Sequence, residues 1–533
     1  MTHARKRSRR RRLALAAAVT LTAGSAYAVA QSSALAGVTS HPAQPGATGS
    51  PAPGAPGPTG KWISYTPGHL TYGQDAQGNR IPDYSAAGYA GGGVPLPTVP
   101  TNVTVPPPSG NDDTAVIQAA LDKAAALPLD PNGFRGAVQL APGKYQIAGS
   151  LTINASGVVL RGAGTDAGQT SLVAQNASAR TLLTIGGDSR YQTLGTPQPV
   201  TDTYVPVGAT SLTMQSTAGF KVGDQVVIER PTTQAWIDAI GMNGTWSPNW
   251  SLRSERTITA IQGDEITFDA PLTTALEKQY TQASVYHYSF PRINHVGIEN
   301  LSSDGQAMAA DPNYQKDFYN SGFAVFNAVE DSWVSNVTTH HYGDYGVALP
   351  SEQSRRISEV HTSALDMVTY LGTSARSFGY LLEGQQNLIQ DCTLTAAKIH
   401  AFVTEGRQAG PNVFSHCTAT TTDVSYDAGG HERWGSGTLY DDVNIQGSLL
   451  MVDNGTRGTG HGWSDANSTA WNCRTTGFEV QNPPTAHNWA IGCTGSALKG
   501  TDGELESAGT PVGPTSLYDE QLHERQAAAA KKP

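Results

Sequence analysis

From residue 138 onward the chain is built of very short apolar strands in quick succession. Val138–Leu140, Tyr145–Ile147, Leu151–Ile153, Val158–Arg161, Leu172–Ala174 and Leu182–Ile185 are each three or four residues long, with Gly, Asn or Pro turns between them. A helix precedes them: Asp112-Asp113 open the run Thr114–Leu127, which places Val116, Ile117, Ala120, Leu121 and Ala124 on one face. An Asp at the N-cap is expected to accept bonds from the otherwise free amides. A helix followed by many tiny strands suits a capped solenoid.

The rhythm breaks over residues 200–285. Phe220–Arg230 and Arg256–Leu272 read as longer alternating strands, with a hairpin turn at Gln262-Gly263-Asp264. This stretch is expected to be an inserted β-subdomain. Its middle, Trp236–Trp250, holds three Trp and two Asn and reads as a loop over a cleft. From Val296 the short strands return, near Ile298, Val334, Ile357, Leu388, Val413, Leu439, Thr469 and Ala490, with gaps of roughly 20–36 residues. Several end on a Cys: Leu388 to Cys392, Val413 to Cys417, Trp471 to Cys473, Trp489 to Cys493. Stacked solenoid turns repeat one inward position every ~4.8 Å, which would set Cys above Cys. The four thiols could pair in three ways or remain buried as small core residues. Ser516–Gln526 reads as a short closing helix with a frayed tail after it.

Composition narrows the class. Of 533 residues only 15% are charged, while Gly numbers 58 and Pro 32, a turn-rich, all-β profile. Net charge is −10, and the only basic cluster is Arg5–Arg12. That argues against nucleic acid as a partner and leaves an acidic polymer only a local basic cleft. Residues 1–36 read as an export signal: the Arg-rich start, the apolar run Leu13–Tyr27, and cleavage candidates Ala26-Tyr27-Ala28 and Ala34-Leu35-Ala36. Ser8-Arg9-Arg10 with Leu13 looks like a twin-arginine signal, and an arginine-rich Sec signal fits as well. The apolar run is too short to span a membrane, and no later stretch is apolar enough. The mature protein is therefore expected to be soluble and secreted. Residues 37–61 form a Pro/Gly-rich linker that cannot order itself. The solenoid is expected over 62–199 and 286–515, with the helix and tail at 516–533.

The stretch Asp112–Asp166 resembles the opening module of the pectate-lyase-like superfamily. The resemblance is carried by the Asp-Asp-Thr helix start, by Gly136-Ala137-Val138-Gln139-Leu140-Ala141-Pro142-Gly143-Lys144-Tyr145, and by Val158-Val159-Leu160-Arg161-Gly162-Ala163-Gly164. It implies a right-handed parallel β-helix, all-β, with an N-terminal capping helix. It does not fix the reaction, since this fold hosts lyases, hydrolases, epimerases and tailspikes.

Polar residues crowd 340–490, above all Lys398–Asn412, His431–Trp434 and Gly460–Asn467, and on successive turns they could line one groove. Upstream in the same series lie His340, His341, Tyr342, Asp344, Asp366 and Tyr370. Cleaving a uronate polymer by β-elimination takes a cation on the carboxylate, a base for the neighbouring proton, and an acid for the leaving oxygen. Arg407, His431, Arg433 and His461 fit these roles in type, with Lys398, His400 and Tyr370 in reserve as substrate contacts. Trp434 and Trp463 are the groove candidates for stacking on a sugar face, whereas Trp471 and Trp489 read as core. Arg433 next to Trp434 also reads as a stacking pair that supports a loop. A hydrolase instead needs two carboxyl groups. Asp441-Asp442 followed by Gly460-His461-Gly462 looks like the Asp-Asp and Gly-His-Gly motifs of polygalacturonase-type hydrolases, with Asp423 as the earlier acid. Thr421-Thr422-Asp423 stands where Asn-Thr-Asp is expected, however, and no Arg-Ile-Lys follows. Asp441-Asp442 also sits in Leu439–Val443, which reads as a strand with only alternate residues outward. Similar lyases commonly use Ca²⁺, but no acidic cluster here has ligand spacing. The leading expectation is a lyase on an acidic extracellular polysaccharide, acting as a monomer. The rivals are a glycoside hydrolase and a non-catalytic carbohydrate-binding or cell-surface solenoid.

Overall fold

The computed structural model describes residues 60–187, 189–308, 321–368, 378–396, 400–420, 427–497 and 501–531. The signal segment, nearly all of the linker, and Tyr370, Lys398 and Asp423 lie outside the described residues.

The strands stack in parallel register into three sheets that run side by side along one axis. Sheet I climbs from Thr101–Val105 through Gly136–Leu140, Val158–Arg161, Arg355–Val360, Leu388–Gln390, Ala409–Ser415 and Gly435–Asp441 to Glu504–Glu506. Sheet II holds Gly143–Ile147, Thr170–Ala174, Ser363–Leu365, Thr393–Thr395, Thr418–Thr420 and their successors. Sheet III holds Leu151–Ile153, Thr181–Gly186, Gly322–Asn327, Tyr345–Pro350, Phe378–Leu382, His400–Glu405 and Asp427–Glu432. Each coil visits I, II and III in turn. The architecture is a parallel β-helix.

The tight corner from sheet I to sheet II shows why these sequences stack. Asn300, Asn336, His361, Asp391, His416, Asp442 and Asn472 occupy it on successive coils, all with φ between 50° and 57°. Asn, Asp and His are the non-glycine residues most at ease in that region. Just beyond this corner come Cys392, Cys417, Cys473 and Cys493, all buried and all free thiols. They share the interior with aliphatic residues and with a column of rings, Phe402, Phe414 and Tyr440, whose centroids are 5.7 and 5.4 Å apart.

Helix α1 (Thr114–Ala125) covers the first coils with Ile117, Ala120, Leu121 and Ala124 turned inward. Its cap differs from expectation. The Asp113 side chain does not cap the helix; it accepts from Ser109 and from the Gln146 amide, while Asp112 accepts from the Thr114 amide at 3.0 Å. Anchoring α1 to the first coil uses up the carboxylate.

Between Gly186 of sheet III and Gly297 of sheet I, the chain leaves the solenoid. There it builds a six-stranded antiparallel sheet whose strands run from Gln192–Pro199 to Ser284–Ser289. This is somewhat wider than the 200–285 expected. Its core is Val226, Ile228, Ile258, Ile266, Phe268 and Val285. Buried arginines bolt it on: Arg256 donates to the carbonyls of Glu255, Ala270, Pro271 and Gly410, and Arg292 forks onto Glu255 at 2.7 and 2.8 Å. Helix α2 (Gln234–Ala239) opens the Trp-rich segment, capped by Thr233. Helix α3 (Leu517–Ala530) is longer than the Ser516–Gln526 expected. It lies on the outer face of sheet I, where Leu517 and Tyr518 pack with Trp62, Ile81, Tyr84, Trp471 and Trp489. Among the described residues, no helix is long and apolar enough to cross a membrane.

Candidate functional site

Three histidines line up at sheet III and the corner after it. His400 opens the strand His400–Glu405, His431 lies near the end of the next strand, and His461 lies in the following corner loop. Their ring centroids are 5.2 Å (His400 to His431) and 4.6 Å (His431 to His461) apart. Each faces a carboxylate. His400 Nδ1 bonds Asp427, His431 Nδ1 stands 3.8 Å from Glu405 Oε1, and His461 Nδ1 stands 2.6 Å from Glu432 Oε2. Phe378 stacks on His400 and meets His431 edge-on, both at ring distances near 5.3 to 5.4 Å.

Two arginines flank the column. Arg433 is held by Glu432 and Thr459. Arg407 is exposed, and its guanidinium lies 4.4 Å from the ring centroid of Trp250. Among the described residues no carboxylate lies within ion-pair distance of Arg407. Partial burial, together with the neighbouring charge of Arg433, holds its guanidinium below the ordinary range.

The inserted subdomain closes one side because it leaves the solenoid at the same sheet III to sheet I corner. Trp246 donates to the Gly460 carbonyl at 3.0 Å, and Trp463 donates to the Ile240 carbonyl at 2.9 Å. The segment Trp236–Trp250 therefore seats against Gly460–Trp463, as a wall beside the histidines.

Of the residues picked out from sequence, Arg407, His431, Arg433, His461 and His400 come together here. Trp463 is partly buried, and its indole N–H is committed to the wall. Trp434 is only 1% exposed, packed edge-on against Trp236 at 4.8 Å, so no sugar face can reach it. The Arg–Trp stacking pair is Arg407 with Trp250 rather than Arg433 with Trp434, because Arg433 turns to Glu432.

Asp441 and Asp442 belong to the opposite corner, between sheets I and II. The strand ends at Asp441, and Asp442 takes the left-handed corner position, so the two do not alternate along a strand as expected. Asp441 is completely buried, accepting from Ser516 Oγ and the amides of Leu517 and Tyr518; it caps α3. Burial pushes its carboxyl up to about 6. Asp442 pairs with His416 at 3.2 Å and Arg474 at 2.6 Å.

Sequence reasoning missed Asp427, Glu405 and Glu432, and placed Trp250 only in the loop over the cleft. The first three repeat at the one-coil spacing: His400 is the cross-strand partner of Asp427, and Glu405 of Glu432. That spacing becomes visible only once the register of the coils is known. Among the described residues, no group of three or more His, Cys, Asp or Glu is placed to hold a metal ion.

No protein-family model matches the chain, and no curated protein matches it in sequence. Solved structures similar to it include the tailspike protein of Pseudomonas phage LKA1 (13% identity, TM-score 0.38, covering 74% of this chain and 70% of that one). A polygalacturonase from Erwinia carotovora aligns at 12% identity and TM-score 0.39, covering 78% and 96%. An alginate lyase from a Paenibacillus strain aligns at 10% identity and TM-score 0.35, covering 77% and 100%. The strand pairings of this chain are themselves those of a parallel β-helix.

Proposed function

We propose that the protein is a secreted enzyme that cleaves a uronate-containing polysaccharide by β-elimination. The observation that carries this reading is Arg407, an exposed guanidinium with no carboxylate partner among the described residues, beside the column of histidines. A guanidinium is the best side-chain fork for a carboxylate. With the sugar carboxylate neutralised by Arg407, and by Arg433 next to it, the proton on the adjacent carbon becomes removable. His431 and His461 are the base and the acid for the leaving oxygen. Glu405 and Glu432 face their Nδ1 atoms at 3.8 and 2.6 Å and so favour the protonated imidazole that the acid step needs. An acidic polymer reaches a protein of net charge −10 only through such a local basic site.

One observation favours a second reading. Glu405 and Glu432 are direct cross-strand partners, so their backbones are ~4.8 Å apart. A glycosidase needs two carboxyl groups about 5–9.5 Å apart on one groove, which glutamates on adjacent coils can supply. In a hydrolase these two would replace Asp423, Asp441 and Asp442 as acid and base.

The experiment is incubation of residues 37–533 with a panel of acidic and neutral polysaccharides. Ultraviolet absorbance of unsaturated ends is followed alongside total reducing ends. The lyase reading expects both to rise together. Reducing ends without absorbance would replace it by the Glu405/Glu432 hydrolase. No cleavage, with retention of one polymer on the protein, would make it a binding solenoid.

A further inference from the structure

Sheet III loses its regular alternation beside His431. Val403 and Thr404 pair with Gly429 and Gly430, yet Glu405 pairs with Glu432, which leaves His431 as an extra residue on its strand. This is a β-bulge, the device by which a strand re-aims side chains. In an unbroken strand His431 and Glu432 would point to opposite faces. Here both reach His461: the His431 ring at 4.6 Å, and Glu432 Oε2 at 2.6 Å from Nδ1.

The bulge leaves no room for side chains at its two glycines. Gly429 has φ +128°, and a Cβ there would stand 1.8 Å from the Leu450 carbonyl oxygen. A Cβ on Gly430 would stand 2.4 Å from Asp465 Oδ2. The Gly430 amide donates to that same oxygen at 2.6 Å. Asp465 is fully buried and also accepts from Ser468 Oγ at 3.1 Å and Ser464 Oγ at 3.3 Å. A buried carboxyl is costly to keep unless its bonds are made, so this one has a reason to be there.

We propose that Asp465 is a positioning residue for His431 and Glu432: by accepting the Gly430 amide it holds the bulge, and so sets how both side chains face the substrate. The inference rests on reading this groove as catalytic. Among the described residues, the other titratable groups facing Asp465 are the phenols of Tyr84 and Tyr440, which burial holds above their ordinary range and therefore neutral. Burial pushes Asp465 itself up to about 7. Its bond to Gly430 is charge-assisted above that pH and weaker below it.

The test compares the full chain with Asp465→Asn, Asp465→Ala and Gly430→Ala. Asn keeps an acceptor for the Gly430 amide but cannot ionise; Ala removes the acceptor. The first readout needs no substrate. In protein carrying ¹³C-labelled histidine, the His431 ring resonance is assigned with His431→Gln and followed against pH. It is expected to be displaced at every pH in Asp465→Ala and Gly430→Ala and to stay close to that of the unaltered protein in Asp465→Asn. On whichever polymer is cleaved, Asp465→Ala should lower kcat about tenfold or more with KM nearly unchanged, and Asp465→Asn should restore most of it. Should Asp465→Ala fail to fold, Asp465→Asn and Gly430→Ala carry both readouts. A His431 resonance identical in all variants overturns the inference, as does an Asp465→Ala variant with full kcat. If no polymer is cleaved, the enzymatic reading fails, and the resonance alone still decides whether Asp465 holds the bulge.

Discussion

Two corners of the solenoid carry nearly the same residues and use them in opposite ways. At the corner between sheets I and II, His416 bridges Asp442 at 3.2 Å and Asp519 of α3 at 2.9 Å, while Asp441 caps the same helix. Between sheets III and I, His431 and His461 face Glu405 and Glu432. Both are imidazole–carboxylate pairs spanning adjacent coils. At the first, a helix lies over the pairs, and His416 and Asp441 spend hydrogen bonds in attaching it. At the second, Arg407 stays exposed while stacking on Trp250, and the inserted subdomain forms a wall rather than a lid. A histidine beside an acid is thus no mark of chemistry in a stacked fold, where the coil spacing produces such pairs repeatedly. What distinguishes the two corners is an accessible arginine with no carboxylate at ion-pair distance among the described residues.

The sharpest way to break this contrast is to remove one histidine from each corner. His431→Ala should lower kcat by about 10²–10⁴-fold on the cleaved polymer, the range for a lost general acid or base, while the denaturation midpoint hardly moves. If activity survives, the open corner is no more catalytic than the covered one. Next in size, Asp441→Ala strands the donors of Ser516, Leu517 and Tyr518 in a buried site and should cost about 3 kcal/mol in urea unfolding, with full activity in the molecules that remain folded. Loss of activity there would bring the Asp-Asp motif back into the mechanism.

Arg407→Ala should reduce kcat/KM about 10–100-fold on an acidic polymer and leave its stability within about 0.5 kcal/mol, with Arg407→Lys recovering part. Equal loss on a neutral polymer would remove the reason for a uronate.

The smallest effect concerns pH. Bonds to Asp442 and Asp519 raise His416 to about 10. Its contribution is therefore complete below its unfolded value near 6.5 and is lost as pH climbs through about 10. Asp441, raised to about 6, acts in a lower window: stability falls as pH rises from its unfolded value near 4 through about 6, and is level above that. Urea midpoints between pH 7 and 10 should decline in the unaltered protein and less so in His416→Gln. Equal slopes would mean that α3 is held by Leu517 and Tyr518 alone.

The repeats were legible because a parallel β-helix writes its period into the chain: short apolar runs, Gly, Asn or Pro turns between them, and a Cys at the end of several. The column of His400, His431 and His461 was half legible, as residue types on successive coils. Glu405 and Glu432 were not, because a lone Glu at the end of a strand carries no signal until the register shows what lies above it. Trp434 was misread for a related reason. Its neighbour Trp236 is distant in sequence, and only the docking of the inserted sheet buries the pair.

Local pattern thus determined the solenoid, its capping helix, the interruption by an antiparallel sheet and the polar crowding in the later coils, since all of these depend on residues close in sequence. Tertiary structure alone decided which corner stays open. That choice depends on where α3 and the inserted sheet come to rest. It turns on contacts such as Asp441 with Leu517, Trp246 with Gly460 and Asp465 with Gly430, each made between residues a coil or more apart.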